Sequence, residues 1–469
     1  MASLLPRTKI ICTLGPSTDT ADVSRKMIEG AMSVARINTA HGDPQEHSRR
    51  IQQVRTLAAG VGKTIAVLVD LPGPKFRVGK IAGDCMELRP GSEVALGAGA
   101  KGLAIPVSNS EILGDLRSGQ SVYLADGSVQ LLVEEIRRDH ALCTVLIGGI
   151  IRSGSGLNFP ESDLSAMIPT EADIRQLAFA IEQKADWIGI SFVRKADEID
   201  RVRSYLPAQE HPLLMAKIEK RQALTELRAI VDAADGVMVA RGDLGVETDL
   251  AQVPLVQKRI VALANERARP VIIATQMLES MVEHARPTRA EVADVANAVL
   301  DGTDGVMLSA ETAIGQFPIE SLEMLRRVIA ATEAEYPYGM ALGRFSKHLS
   351  TSPEEAVAFA ACRLSSEIHA KAIVVPVRSI HGAIQIARFR PKAPILAVAD
   401  SEILSRQLMA IWGVIPMLAP TIANTGPCIA QAKEWLFRHK LVTSGDPVVV
   451  LSASSPSRDF SDRLQIVQC

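Results

Sequence analysis

The sequence predicts a (β/α)8 barrel that is interrupted after its third strand by a small β domain and followed by an open α/β domain. Three observations carry this expectation. Short Val/Ile/Ala-rich runs alternate with amphipathic stretches, the pattern of βα units feeding a parallel sheet, and eight such runs precede residue 310. The rhythm breaks between the third and fourth runs, where residues 73–159 are dense in Gly and short β-like segments. After residue 340 a new helix and a fresh series of apolar runs begin. The expected domains are therefore residues 1–72 and 160–340 for the two parts of the barrel, 73–159 for the insertion, and 341–469 for the C-terminal unit.

The eight barrel strands are expected at KIICTL (9–14), MSVARI (32–37), TIAVLVD (64–70), DWIGISF (186–192), LLMAKIE (213–219), GVMVAR (236–241), PVIIAT (271–275) and GVMLS (305–309). Each is short, apolar and β-branched enough to be buried on both faces. Helical periodicity follows most of them, at 18–29, 44–58, 197–205, 221–232, 288–300 and 318–333. In the insertion, CMELRPGSEVAL, QSVYLADGSVQLLVEEI and ALCTVLIGG alternate as strands do. The C-terminal unit opens with a helix at 353–369 and continues through AIVVPV, PILAVA, GVIPML, PVVVLSA and a last strand LQIVQ.

Composition narrows the function. The chain has 469 residues, is 47% hydrophobic and 4% aromatic, and has a formal net charge of −2. A near-neutral chain with few aromatics offers neither the basic field nor the stacking platform of a nucleic-acid binder. The six cysteines are scattered without a C-x-x-C pair, which argues against a zinc site or a disulfide framework. The opening MASLLPRTKIICTLG lacks the apolar core of a signal peptide, and no apolar run reaches about 18 residues, so no membrane association and a cytoplasmic location are expected.

Chemistry-bearing residues gather at the strand ends. Arg36 and Asn38 end the second strand, Asp70 the third, Lys217 and Glu219 the fifth. Ser191 and Arg194 follow the fourth, Arg241 to Gly245 the sixth, Thr275 ends the seventh, and Ser309 and Glu311 follow the eighth. Lys217 and Glu219 stand two apart on a strand and so share a face. Read alone they fit a buried ion pair. Successive strands delivering Arg, Asn, Asp, Lys, Glu, Asp and Thr to one rim instead fit a site for a divalent metal and a phosphate.

The runs ARINTAHG, LNFP, ISFVRK, MAKIE, VMVARGDLGVE, IIATQMLESM and RPTRAEVADVANAVLDGTDGVMLSAETA, in this order, resemble the pyruvate kinase family from residue 7 to about 335. The C-terminal unit fits more loosely. The resemblance implies phosphoryl transfer from phosphoenolpyruvate to ADP, giving pyruvate and ATP, under an inserted lid that excludes water. It also implies that Glu219 and Asp243 hold Mg2+ (or Mn2+) and that Lys217 stabilises the phosphoryl group in flight. Arg36 would contact that phosphate, Thr275 the substrate near its carboxylate and enolate carbon, and the backbone of Arg241, Gly242 and Asp243 the carboxylate itself. Arg36, His41 and Arg77 fall where nucleotide is contacted. His41 also fits a helix cap, and Arg77 a hinge residue. A homotetramer is the family's usual state.

Departures from the family pattern carry their own expectations. The usual Asn-Phe-Ser-His-Gly is here Asn38-Thr39-Ala40-His41-Gly42, and the usual Glu after the third strand is Lys75. A hydroxyl ligand of the family's K+ is thus lost, while an ammonium is gained near Asn38 and Asp70. K+-independent activity is expected, with Lys75 supplying the charge. The Ser153-Gly154-Ser155-Gly156 run lacks the lysines common before Leu-Pro, which bears on nucleotide contact. In the C-terminal unit, PVRSIHG (376–382) and SASSPSRDFSD (452–462) replace the loops of fructose 1,6-bisphosphate-activated relatives, so that activation is not expected. Arg378, Ser379 and His381, with Ser452, Ser454 and Arg458, suit another sugar-phosphate or nucleotide effector, or a solvated loop. Two competing functions share these features: a lyase or aldolase of the metal–pyruvate barrel class, and a non-catalytic regulatory relative. ADP-dependent ATP formation separates them.

Overall fold

The structure is a computed structural model describing residues 6–97, 103–108, 110–162, 164–345, 352–419, 425–452 and 462–469. Eight parallel strands close into a barrel: β1 (Lys9–Thr13), β2 (Met32–Asn38), β3 (Ala66–Asp70), β4 (Trp187–Ile190), β5 (Leu213–Ile218), β6 (Gly236–Ala240), β7 (Val271–Ala274) and β8 (Gly305–Leu308). Each pairs with its sequence neighbours, and β8 returns to β1.

Alternation along these strands sorts the residues. Ile10, Cys12, Ala35, Val67, Val69, Ile188 and Val239 face the surrounding helices and share one large core with them. The other phase fills the lumen: Ile11, Val34, Leu68, Trp187, Met215, Met238, Ile272 and Met307 pack on one another. Two residues further up each strand, on the same lumen-facing phase, come Thr13, Arg36, Asp70, Gly189, Lys217, Ala240, Ala274 and Ser309. The polar layer therefore sits directly above an apolar plug.

The insertion between β3 and β4 forms a seven-stranded sheet with its own core, and its first and last strands, Phe76–Arg77 and Gly156–Asn158, pair with each other at the barrel's rim. A second, two-stranded sheet joins Cys85–Leu88 to Gly149–Arg152.

After the barrel, the helix Pro353–Glu367 leads into β9 (Ile373–Val377), β10 (Ile395–Ala399), β11 (Val414–Leu418), β12 (Pro447–Ser452) and β13 (Arg463–Gln468). Their order in the sheet is β11-β10-β9-β12-β13, with β13 antiparallel to β12. This unit seals the bottom of the barrel. Met409 and Ala410 join the lumen plug, and Trp187 donates to the Gln407 carbonyl at 3.1 Å. Arg406 pairs with Asp186 at 2.8 Å, and buried Arg390 pairs with Asp304 at 3.0 Å. Among the described residues no helix is long and apolar enough to cross a membrane.

Candidate active site

Four strand ends supply a buried charge cluster. Arg36, on β2, donates through Nε to Asp70 Oδ2 at 2.9 Å and through Nη1 to Thr13 Oγ1 at 3.0 Å; its Nη2 also pairs with Asp70. Lys217, on β5, reaches the same Asp70 oxygen at 3.2 Å and Glu219 Oε1 at 2.9 Å. The ion pair that the sequence allowed is present, yet it is one edge of a larger network.

Burial of such charges is tolerated only when they are paired. Burial raises the Asp70 carboxyl, but Lys217 and Arg36 overcome it and hold the group below its ordinary value. Burial likewise opposes the Lys217 ammonium, while Asp70 and Glu219 together lift its pKa above the ordinary lysine value. Glu219 lies above its ordinary value: burial raises it, Lys217 lowers it, and the nearby negative charge of Asp243 raises it again. A carboxylate held against ionisation by a neighbouring acid fits a site for a divalent cation. Among the described residues no cluster of three His, Cys, Asp or Glu side chains completes a protein-only metal cage. A pair of carboxylates, with substrate and water oxygens as the rest, suits Mg2+ or Mn2+.

Asp243 and Arg241 stand on a short helix, Arg241–Glu247, that begins as β6 ends. Arg241 ties this helix to the next strand end. It pairs with Asp294 at 2.5 Å and donates to the carbonyls of Thr275 at 3.0 Å and Gln276 at 3.1 Å. Those carbonyls need holding, because Thr275 and Gln276 have φ of 67° and 56°. A β-branched residue at positive φ is strained, and strain of this kind gathers at functional sites. Thr275 Oγ1 accepts from the Gly242 N–H at 2.8 Å and donates to the Ala274 carbonyl at 2.6 Å.

Positive charges line the entrance from the lid side. Lys75 is open to solvent on one face, yet the cleft walls and the Lys217 charge lower its pKa, against the pull of Asp243, Glu219 and Asp70. His41 is lowered by burial and by the charges of Lys75, Arg77 and Arg36. Arg77 donates to the Gly154 carbonyl at 2.9 Å, bracing the paired strands at the lid's base. Asn38 lies beside Asp70 in the β2–β3 register, and its side-chain oxygen accepts from the Ala40 N–H at 3.2 Å.

Not every strand-end residue faces the cluster. Arg194 is engaged elsewhere, bonding buried Glu198 at 2.9 Å and the Ala166 carbonyl at 2.7 Å. Glu311 is a clamp whose two oxygens accept from the Ser309 and Leu278 N–H groups at 2.7 and 3.0 Å. Sequence reasoning passed over Glu247, which accepts from Lys220 at 2.6 Å and from Asn158 at 3.0 Å and so ties the lid's return strand to the Asp243 helix. Its place in the quoted VMVARGDLGVE run, on the same short helix, was the available signal. In the C-terminal unit, Ser379 caps the helix Ile380–Ala387 through the His381 N–H, and His381 lies 3.4 Å from Glu354. Ser452 ends β12, while Ser454 and Arg458 lie outside the described residues.

A closed (β/α)8 barrel with paired acids and basic groups converging at its C-terminal rim defines a barrel enzyme. The family model described as "Pyruvate kinase, barrel domain" matches residues 5–322, and "Pyruvate kinase, alpha/beta domain" matches residues 355–467. A pyruvate kinase from Geobacillus stearothermophilus is 38% identical over 460 residues, covering 96% of this chain and 78% of that protein. One from Thermococcus litoralis is 41% identical over 419 residues, covering 87% and 88%. The crystal structure of a pyruvate kinase from Cryptosporidium parvum superposes with a TM-score of 0.93 at 31% identity, covering 100% of this chain and 99% of that one. The chain belongs to the pyruvate kinase family and is a phosphotransferase.

Proposed function

We propose that the rim cluster transfers the phosphoryl group of phosphoenolpyruvate to ADP with a divalent cation on Glu219 and Asp243, and without a requirement for K+. The observation that carries this reading is the buried network of Arg36, Asp70, Lys217 and Glu219 at the strand ends. The K+-free part is supported by Lys75 lying close enough to feel Asp243, Glu219 and Asp70. Arg36 and Lys217 orient the migrating group and offset the charge that spreads over its oxygens. The strained Thr275 hydroxyl and the Arg241–Asp243 backbone hold the carboxylate end. His41, Arg77 and Arg36 form the basic entrance for the nucleotide phosphates. Mg2+ or Mn2+, when bound, neutralises charge between the two anionic substrates.

The donor set for a monovalent cation is depleted. Residue 40 is alanine, the Asn38 oxygen is engaged by Ala40, and the Thr39 hydroxyl donates to the Asp70 carbonyl at 2.7 Å. In this reading the Lys75 ammonium takes over the role of that positive charge. Fructose 1,6-bisphosphate is not an activator in this reading. Arg378, Ser379 and His381 are instead proposed to meet a different phosphate-bearing effector, although Glu354 beside His381 opposes an anion there. Thermal-shift titration with AMP and sugar phosphates tests that point, and no shift with any of them removes it. A cytoplasmic homotetramer is carried over from the family.

The test of the reaction is ATP formation from phosphoenolpyruvate, ADP and Mg2+ in Na+ buffer, with and without fructose 1,6-bisphosphate. Turnover that the sugar phosphate leaves unchanged supports the reading. Absence of ATP formation in both Na+ and K+ removes it in favour of a lyase or regulatory role.

A further inference from the structure

A lysine ammonium has three N–H donors. Lys217 Nζ donates to Ser191 Oγ at 2.8 Å and forms ion pairs with Asp70 at 3.2 Å and Glu219 at 2.9 Å. Two of these partners are anions and the third is a neutral hydroxyl. Ser191 is 2% exposed, and its own proton goes to the Leu71 carbonyl at 2.6 Å. Its oxygen therefore faces Lys217 as an acceptor only.

The surroundings keep Ser191 in place. Leu71 begins the segment that leaves β3 for the lid, and Gly73 in that segment packs closely on the Ser191–Phe192 turn. A Cβ at Gly73 would lie 2.8 Å from Ser191 Cβ and 2.7 Å from Phe192 Cδ2. The next residue in the turn, Phe192, donates its N–H to Glu219 Oε2 at 2.7 Å. One turn thus fixes both the ammonium and the carboxylate beside it.

We infer that Ser191 is the positioning residue of Lys217, an inference that rests on the proposed contact between Lys217 and the transferred phosphoryl group. With three partners around it, the ammonium must loosen one contact to take an arriving oxygen. Exchanging an anion leaves the positive charge less cancelled; exchanging the hydroxyl leaves it pinned between two anions. Ser191 is the contact that holds the ammonium without neutralising it.

A double-mutant cycle of Ser191→Ala and Lys217→Met tests this, with kcat, the phosphoenolpyruvate KM and the thermal midpoint measured for each protein. Ser191→Ala is expected to lower kcat about tenfold with KM within about twofold, and to change kcat less than about twofold in the Lys217→Met background. Ser191→Cys, which keeps a weak donor and acceptor at similar volume, is expected to fall between, and it replaces the alanine variant if that fails to fold. Unchanged kcat in Ser191→Ala, or the same loss in both backgrounds, overturns the inference. Unchanged kcat in Lys217→Met is a separate outcome that overturns the reading beneath it.

Discussion

Asp70 takes Arg36 and Lys217 on one carboxylate oxygen, while Oδ1, the other, is buried without a hydrogen-bond partner against Gly189. Gly189 occupies the β4 position of the polar layer, and a Cβ there would lie 2.6 Å from Oδ1. Gly189→Ala is therefore expected to displace the carboxylate and pull Arg36 and Lys217 with it. A misplacement of this size lowers kcat by about a hundredfold. Steady-state kinetics beside a thermal midpoint would show it, and near-native kcat would mean that Asp70 does not set the two cations. Arg36, Asp70, Lys217, Glu219 and Asp243 were legible in the sequence, because successive strands deliver charged residues to one rim. Ser191 was picked out at the rim but its bond to Lys217 was not, and Gly189 was not legible as part of the cluster. Their roles come from side chains on β3 and β5, and nothing local to β4 announces them.

At the scale of elements, the last four expected barrel strands ran one residue past the observed ones, while β2 runs one residue beyond its expected end to Asn38. β5 stops at Ile218, β6 at Ala240, β7 at Ala274 and β8 at Leu308. The overrun residues, Glu219, Arg241, Thr275 and Ser309, are those that leave strand geometry to build the rim. Apolar periodicity cannot see that change, since it is imposed by contacts such as Arg241 with the Thr275 carbonyl. The turn after β4 behaves similarly, with Phe192 at φ 58°. Gly73 opposes it at φ 66° with no room for a side chain. Gly73→Ala combines a left-handed backbone with a clash, and a loss of ~2–4 kcal/mol of stability is expected by denaturant titration. A loss under ~0.5 kcal/mol would show that the lid hinge yields freely.

Over the whole molecule, the order of barrel, insertion and C-terminal sheet was readable from the alternation of apolar runs. How the C-terminal unit docks was not, because its contacts join residues far apart in sequence. Lys9 illustrates the point. It opens β1, is buried, and donates to the Val414 carbonyl of β11 at 2.7 Å. Burial lowers its pKa to about 8, against partial relief from Glu333 and Asp304. The unfolded chain, with an ordinary lysine at 10.5, binds that proton more tightly than the folded one, so stability rises with pH between about 8 and 10.5. Lys9→Met is accordingly expected to stabilise the protein at pH 7 by ~1–3 kcal/mol, with the gain shrinking as pH climbs through that window. Destabilisation at both ends of the window would mean that the Val414 bond outweighs the buried charge.

The central claim is that the Lys75 ammonium makes K+ dispensable for the proposed transfer. The most direct measurement is the initial rate of ATP formation from phosphoenolpyruvate and ADP with Mg2+, at fixed ionic strength, in Na+ and then in K+. Rates within about twofold of each other are predicted if the Lys75 ammonium supplies the charge that the reading assigns to it. Activation by K+ of about tenfold or more would contradict the account.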